Sequence, residues 1–292
     1  MKMNFNARSY GFLTNHKESF PDYNQNDESG NGLKKIVVKY NAFNPFLLKT
    51  HYPDIKNNIK FDKDISDLNI EKIDLINIES WLLEIRAQIE NSYHLNIPLI
   101  KEKSIKCIDI LQQSVKLITI ERNDLDLPKR IHRLLFENFP TTNILIGEFK
   151  KQQNWIDSNR ALNPVIADFV PPHYSNINNL MEDWINSFNE KSEYPYIHAA
   201  ILYYQFMAIH PFEDGNEKTC RILIILYFLK NQIYNKNFIL LKSAIRRERE
   251  RSNTILRCVS LYGSFDDWIK YFLKGLEISI KDEISVKEID LY

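Results

Sequence analysis

Residues 209–221 read "IHPFEDGNEKTCR": a His opens a turn of Asp214, Gly215 and Asn216 that runs into the most apolar stretch of the chain. On either side, "PYIHAAILYYQFMAI" (195–209) and "RILIILYFL" (221–229) are apolar on nearly all faces, which predicts two helices central in the core. The turn then lies at the mouth of that core, anchored by Phe212. The second helix is predicted to start near Asn216, so its first N–H groups point toward 214–218. Together with the positive end of the helix dipole they make an anion site. Gly215 lets a phosphate approach the backbone closely. Asp214 can ligate a Mg²⁺ that bridges phosphate oxygens. Lys218 and Arg221, three apart on the first turn, can share one anion. His210 can accept a proton near neutral pH. Asp-Gly-Asn is also ordinary turn chemistry, so the bland reading is a loop that caps a core helix.

Working outward, the 292 residues suffice for one large domain or two smaller ones. With 38 basic and 38 acidic residues the net charge is zero, so no bulk field draws the chain to nucleic acid or an anionic membrane. Neither partner is expected, and any nucleotide must be held by a local constellation. Cys107, Cys220 and Cys258 are far apart and form no CxxC pair, which suits reduced thiols and a cytoplasmic setting. The first residues, "MKMNFNARSYGFLTN", lack the apolar run of a signal peptide. The longest apolar run, Ile222 to Leu229, is far short of the roughly 20 residues a membrane span needs.

Three regions follow from the pattern: an irregular stretch 1–62, a helical region 63–140 and a core 141–292. In the first, "PDYNQNDESGNG" reads as a polar loop and "KKIVVKY" as one candidate strand. From Asp64 the helical period takes over, with Ile78, Trp81, Leu82, Ile85 and Ile89 on one face and a stop near Tyr93 to Pro98. A second helix is expected over 103–119 with Ile105, Ile108, Leu111, Val115 and Ile118 inward, and a third from Pro128 through "KRIHRLLFENF". "NWIDSN" and "PVIADFVPP" are short β-prone pieces separated by turn chemistry, so 154–170 reads as a hairpin. Helices resume at about 176–189, 195–209, 217–230, 243–261 and 265–280. The expected class is mainly α with one β-hairpin.

Here the residues carry a resemblance. "HPFEDGNEKTCR" resembles the signature of the Fic family, His-x-Phe-x-(Asp/Glu)-Gly-Asn-Gly-Arg-x-x-Arg. "GEFKKQQNWI" with "ADFVPPHYSNINNLMEDW" is similar to the family's flap hairpin and the helix after it. "HAAILYYQFMAIHPF" and "FDDWIKYFLKGL" are similar to other family segments, so the likeness runs over about 145–280. It implies a mostly helical fold that transfers a nucleotide monophosphate, usually AMP from ATP, to a protein hydroxyl. Carried over by position, His210 would deprotonate the Ser, Thr or Tyr hydroxyl and Asp214 would hold Mg²⁺. Gly215 and Asn216 would cradle the phosphates, Lys218 and Arg221 would bind the triphosphate, and Phe212 would be structural. The flap would clamp a segment of the target protein by strand addition. A homo-oligomer is left open.

Two positions depart from the signature. Glu217 stands where the family has Gly, and Lys218 where it has Arg. A carboxylate ~5 Å from a phosphate in an effective dielectric of about 20 repels it by roughly 3 kcal/mol. Many family members also carry an inhibitory helix, (Ser/Thr)-x-x-x-Glu-(Gly/Asn), whose Glu pairs with the last Arg of the signature. "RAQIEN" matches at Glu90 and Asn91 with Arg86 in place of Ser/Thr, and "SWLLEI" supplies Ser80 and Glu84 but continues with Ile85. Asn is a natural helix terminator, which favours Glu90 as the brake on Arg221. The leading expectation is an autoinhibited protein adenylyltransferase. The alternatives are a Glu90-positioned water that removes AMP from a modified protein, and a degenerate Fic protein that binds a nucleotide or partner without transfer.

Overall fold

The computed structural model describes residues 10–26, 33–50, 82, 83, 86, 87, 90, 98–118, 123–142, 144–156, 161–233 and 249–281. Two antiparallel strands come first, β1 (Gly11–Asn26) and β2 (Leu33–Pro45). Helices α1 (Pro98–Leu117), α2 (Asp126–Asn138), α3 (Ile177–Asn189), α4 (Pro195–Ile209), α5 (Asn216–Lys230), α6 (Arg249–Tyr262) and α7 (Phe265–Lys281) follow. A 3₁₀ turn, Tyr174–Asn176, leads into α3. The molecule is mainly helical with one two-stranded hairpin.

The all-round apolarity of α4 and α5 decides the arrangement. Nearly every residue of both is buried, and they pack against each other. α3 and α7 lie against α4, while α1 and α2 lie against α5. Trp184 on α3 and Trp268 on α7 each bury their ring and donate the indole N–H into α4, to the carbonyls of Leu202 (2.9 Å) and Ala200 (2.7 Å). Each indole thus adds apolar area without leaving its one donor unmet. His198, buried between α3 and α5, is satisfied the same way by Ser187 Oγ and the Tyr227 hydroxyl, both at 2.9 Å. Leu82, on the apolar face expected for the helix after Asp64, is fully buried in this core, and the four other apolar residues expected on that face lie outside the described residues.

Two expectations are corrected. Residues 11–26, read as irregular, form the first strand of a hairpin, and the candidate strand "KKIVVKY" lies in the second, paired in register from Gly11↔Pro45 to Pro21↔Lys35. The more protected positions are the even ones, Thr14, His16, Glu18 and Phe20 on β1 with Ile36, Val38, Tyr40 and Ala42 on β2. Polar residues at three of those positions hide the alternation that would mark a strand. Meanwhile the hairpin expected at 154–170 reduces, among the described residues, to one antiparallel bridge between Ile156 and Phe169 (N···O 2.8 and 3.0 Å). Pro164, Pro171 and Pro172 have no N–H to extend the ladder.

The true hairpin backs this flap. Phe43 N–H donates to the Val170 carbonyl (2.8 Å), and Phe20 packs edge-on against Trp155. Phe20, Tyr40, Ala42 and Val170 bury a small second core, with Val38, Trp155 and Ala167 around it. His16 stacks on His173 at 4.2 Å, and His173 Nε2 meets Glu18 at 2.5 Å.

Candidate active site

Helix α4 stops because His210 turns left-handed (φ 49°, ψ 61°) and Pro211 follows with no N–H to continue it. A non-glycine residue held there costs on the order of 1 kcal/mol, and such strain collects at functional positions. Pro211 then ties down the flap's start, its carbonyl accepting from Lys150 N–H (2.8 Å). Phe212 is fully buried and stacks on His132 of α2 (4.0 Å, 14°), so it anchors the turn as the sequence implied.

Asn216, the first residue of α5, staples the turn shut. Its Oδ1 accepts from Phe212 N–H (2.8 Å) and its Nδ2 donates to the Phe212 carbonyl (2.9 Å). Its side chain is therefore a brace for Phe212, while the N–H groups of the first turn of α5 stand ahead of the first intrahelical bond, Thr219 N–H to Gly215 O (2.9 Å). Gly215 is also left-handed (φ 72°), and a Cβ there would come within 2.6 Å of the Phe136 ring. Asp214 is exposed; its Oδ1 accepts from Gly215 N–H (2.7 Å), and its carbonyl takes a hydrogen bond from His132 Nε2 (3.1 Å). Glu213 looks the other way and accepts from Leu145 N–H (2.9 Å).

His210 keeps part of its ring at the surface, with Asn154 Nδ2 at 3.1 Å from Nδ1 and Asn216 Nδ2 at 3.2 Å. Crowding by the protein, and then the positive charge of Lys150, push its pKa down to about 3. Burial pushes His132 down to about 4, against the opposing pull of Asp214, and Lys150 down to about 7. Around neutral pH both imidazoles are neutral.

The structure brings His210, Asp214, Gly215 and Asn216 into one turn, with Lys218 and Arg221 on the first turns of α5. Arg221 is 1% exposed, and its Nη1 donates to Glu217 Oε1 at 2.8 Å, one helical turn back. The odd carboxylate of the signature is thus aimed at the signature's own guanidinium. The pairing of Arg221 with Glu90 does not form. Glu90 is 48% exposed, bound to Arg86 Nε at 3.0 Å, with its carbonyl taken by Lys101. Arg86 stands where the pattern asks for Ser or Thr, and a guanidinium four residues before a glutamate captures it along the helix. Glu84 lies outside the described residues.

Three site residues escaped the sequence reading: His132, Lys150 and Asn154. "KRIHRLLF" did place a lone His on the buried face of a helix, and "KKQQN" put a Lys four residues before an Asn. Neither is a pattern without the fold.

Residues 123–228 match the model of the Fic/DOC family, so the chain carries a Fic domain over that stretch. Over 81 residues it is 36% identical to the protein adenylyltransferase Fic of Drosophila willistoni and 35% to that of Drosophila virilis. Those 81 residues are 27% of this chain and only 14% and 15% of the two relatives. Among solved structures, a Fic family protein from Desulfovibrio desulfuricans G20 overlaps with a TM-score of 0.47 at 16% identity, covering 71% of this chain and 73% of that one. Fic-1 from C. elegans also gives 0.47, at 18% identity over 80% of this chain and 69% of the other.

Proposed function

We propose that the chain transfers AMP from ATP to a Ser, Thr or Tyr hydroxyl of a target protein. The observation that carries this reading is a neutral imidazole, His210, held at the mouth of a turn whose next residues open α5. The hydroxyl oxygen bonds to the α-phosphorus, the bond from that phosphorus to the pyrophosphate oxygen breaks, and pyrophosphate leaves with the electron pair. His210 takes the hydroxyl proton. The N–H groups of the first turn of α5, with Lys218 and Arg221, hold the phosphates. Gly215 keeps the backbone bare where they approach.

Asp214 fits a magnesium ion. Its carboxylate is exposed and spends one oxygen on Gly215, and Mg²⁺ commonly takes one or two carboxylates plus phosphate oxygens. Among the described residues no cluster of three or more His, Cys, Asp or Glu surrounds it, so the nucleotide itself would complete the set. When bound, the ion neutralises phosphate charge. The target would lie along the flap, where Ile156, Leu162, Val165 and Ile166 are exposed, and would add an extended segment there.

Incubation with ATP and Mg²⁺, read by intact mass, should show added AMP on the chain itself or on a captured protein. His210→Ala should abolish the gain while calorimetry still finds ATP bound. Undiminished transfer by that variant would remove His210 from the mechanism. A second reading, nucleotide or partner binding without transfer, is favoured by the Glu217–Arg221 pair. It predicts bound ATP and no mass gain in either protein.

A further inference from the structure

Lys150 is 2% exposed, and among the described residues its ammonium has one hydrogen-bond partner, Asn154 Oδ1 at 2.6 Å. A lysine with one partner for three donors needs a reason to be buried. Asn154 supplies one, because its amide is held between groups of fixed polarity. In its charged form Lys150 only donates, so it faces Oδ1. The Phe212 carbonyl only accepts, and it lies 3.0 Å from Nδ2. Turning the amide over would break both contacts and set like against like at each end.

The remaining hydrogen on Nδ2 is directed at His210 Nδ1, 3.1 Å away. That nitrogen must therefore offer a lone pair, and in a neutral imidazole the proton then sits on Nε2. Asn216 does not make this choice. Its Nδ2 lies 3.2 Å from one ring nitrogen and 3.3 Å from the other, so it is shared between them.

We infer that Asn154, its amide held by Lys150 and by the Phe212 carbonyl, is the positioning residue that decides which nitrogen of His210 carries the proton, and that it keeps that proton on Nε2. The consequence rests on the transfer reading above. With the proton on Nε2, that nitrogen presents a donor, suited to a phosphate oxygen. To take a proton from a hydroxyl at Nε2, the ring must first move its own proton to Nδ1, and Asn154 must turn so that Oδ1 accepts it. Lys150 and the Phe212 carbonyl both resist that turn, so Asn154 is a lock on the tautomer that lies outside the signature.

The test reads the imidazole directly and needs no transfer activity, so its failure is separate from failure of the transfer reading. The whole chain is labelled with ¹⁵N-histidine, and His210 is assigned by difference from His210→Ala. Long-range ¹H–¹⁵N correlations then tell a protonated ring nitrogen from a bare one. The wild-type protein should show Nε2 protonated and Nδ1 bare, and Lys150→Arg, which still donates, should keep that pattern. Lys150→Met removes one of the two holds and should raise the share of the Nδ1–H form, with the Phe212 carbonyl still favouring Nε2–H. Asn154→Asp is close to isosteric, keeps the lysine contact and offers only acceptors, so it too should move the proton to Nδ1; it decides the matter if Lys150→Met does not fold. A wild-type ring protonated on Nδ1 would overturn the inference. So would two folded variants that both retain the Nε2–H pattern.

Discussion

Arg221 and Glu217 illustrate what one carboxylate does to a candidate anion site. The guanidinium is buried, so it needs charge-assisted partners, and Glu217 provides one from a single turn away. A triphosphate that binds Arg221 must compete with that contact. Glu217→Ala should therefore tighten ATP binding about tenfold, roughly 1.4 kcal/mol, as read by calorimetry. The same variant strips a buried cation of a partner, so without nucleotide it should be less stable by about 1–3 kcal/mol in urea unfolding. Opposite signs in the two measurements are the signature of this pair. Weaker ATP binding by Glu217→Ala would mean that the pair serves some other ligand.

At the scale of elements, the left-handed hinge at Gly215 packs the start of α5 against α2. Gly215→Ala should cost about 2–4 kcal/mol in urea unfolding, about 1–2 from the positive φ and the rest from the clash with Phe136. Phe136→Leu in the same chain should relieve the second part and leave the first, and a cycle with no coupling would rule out the contact. This hinge was legible in the sequence because its residues are contiguous. So were α3, α4, α5 and α7, whose apolar residues either recur on one face or fill the helix. Of the hairpin, only the candidate strand inside β2 was, because Thr14, His16 and Glu18 sit at the protected positions of β1. Lys150, Asn154 and His132 reach the turn from flap and helix through polar atoms and, for His132, a ring stacked on Phe212, and no local pattern announces such contacts. Glu90 matched its pattern and still went elsewhere, since Arg86 lay one turn behind it.

At the scale of the whole molecule, burial pushes three of the described imidazoles to about 4 or below: His132 to about 4, and His198 and His210 to about 3. In the unfolded chain they titrate near 6.5. Between that pH and about 4 the unfolded state binds more protons than the folded one, so stability falls as the solution is acidified. Urea midpoints should drop steeply from pH 7 to pH 4, with proton uptake on unfolding approaching three. His198→Phe should flatten the slope by about one proton; an unchanged slope would mean that His198 takes up its proton while folded.

The hairpin of β1 and β2 bears on how the flap can work. A rim segment left to itself would lose backbone freedom on docking, at roughly 1–2 kcal/mol for each residue fixed. Here the Phe43–Val170 hydrogen bond and the Phe20–Trp155 contact hold the flap's two ends during folding. That part of the entropy loss is complete before any visitor arrives. A target segment that adds to the flap, as proposed above, would meet ends that are already held, and that share of the ordering would not recur on docking.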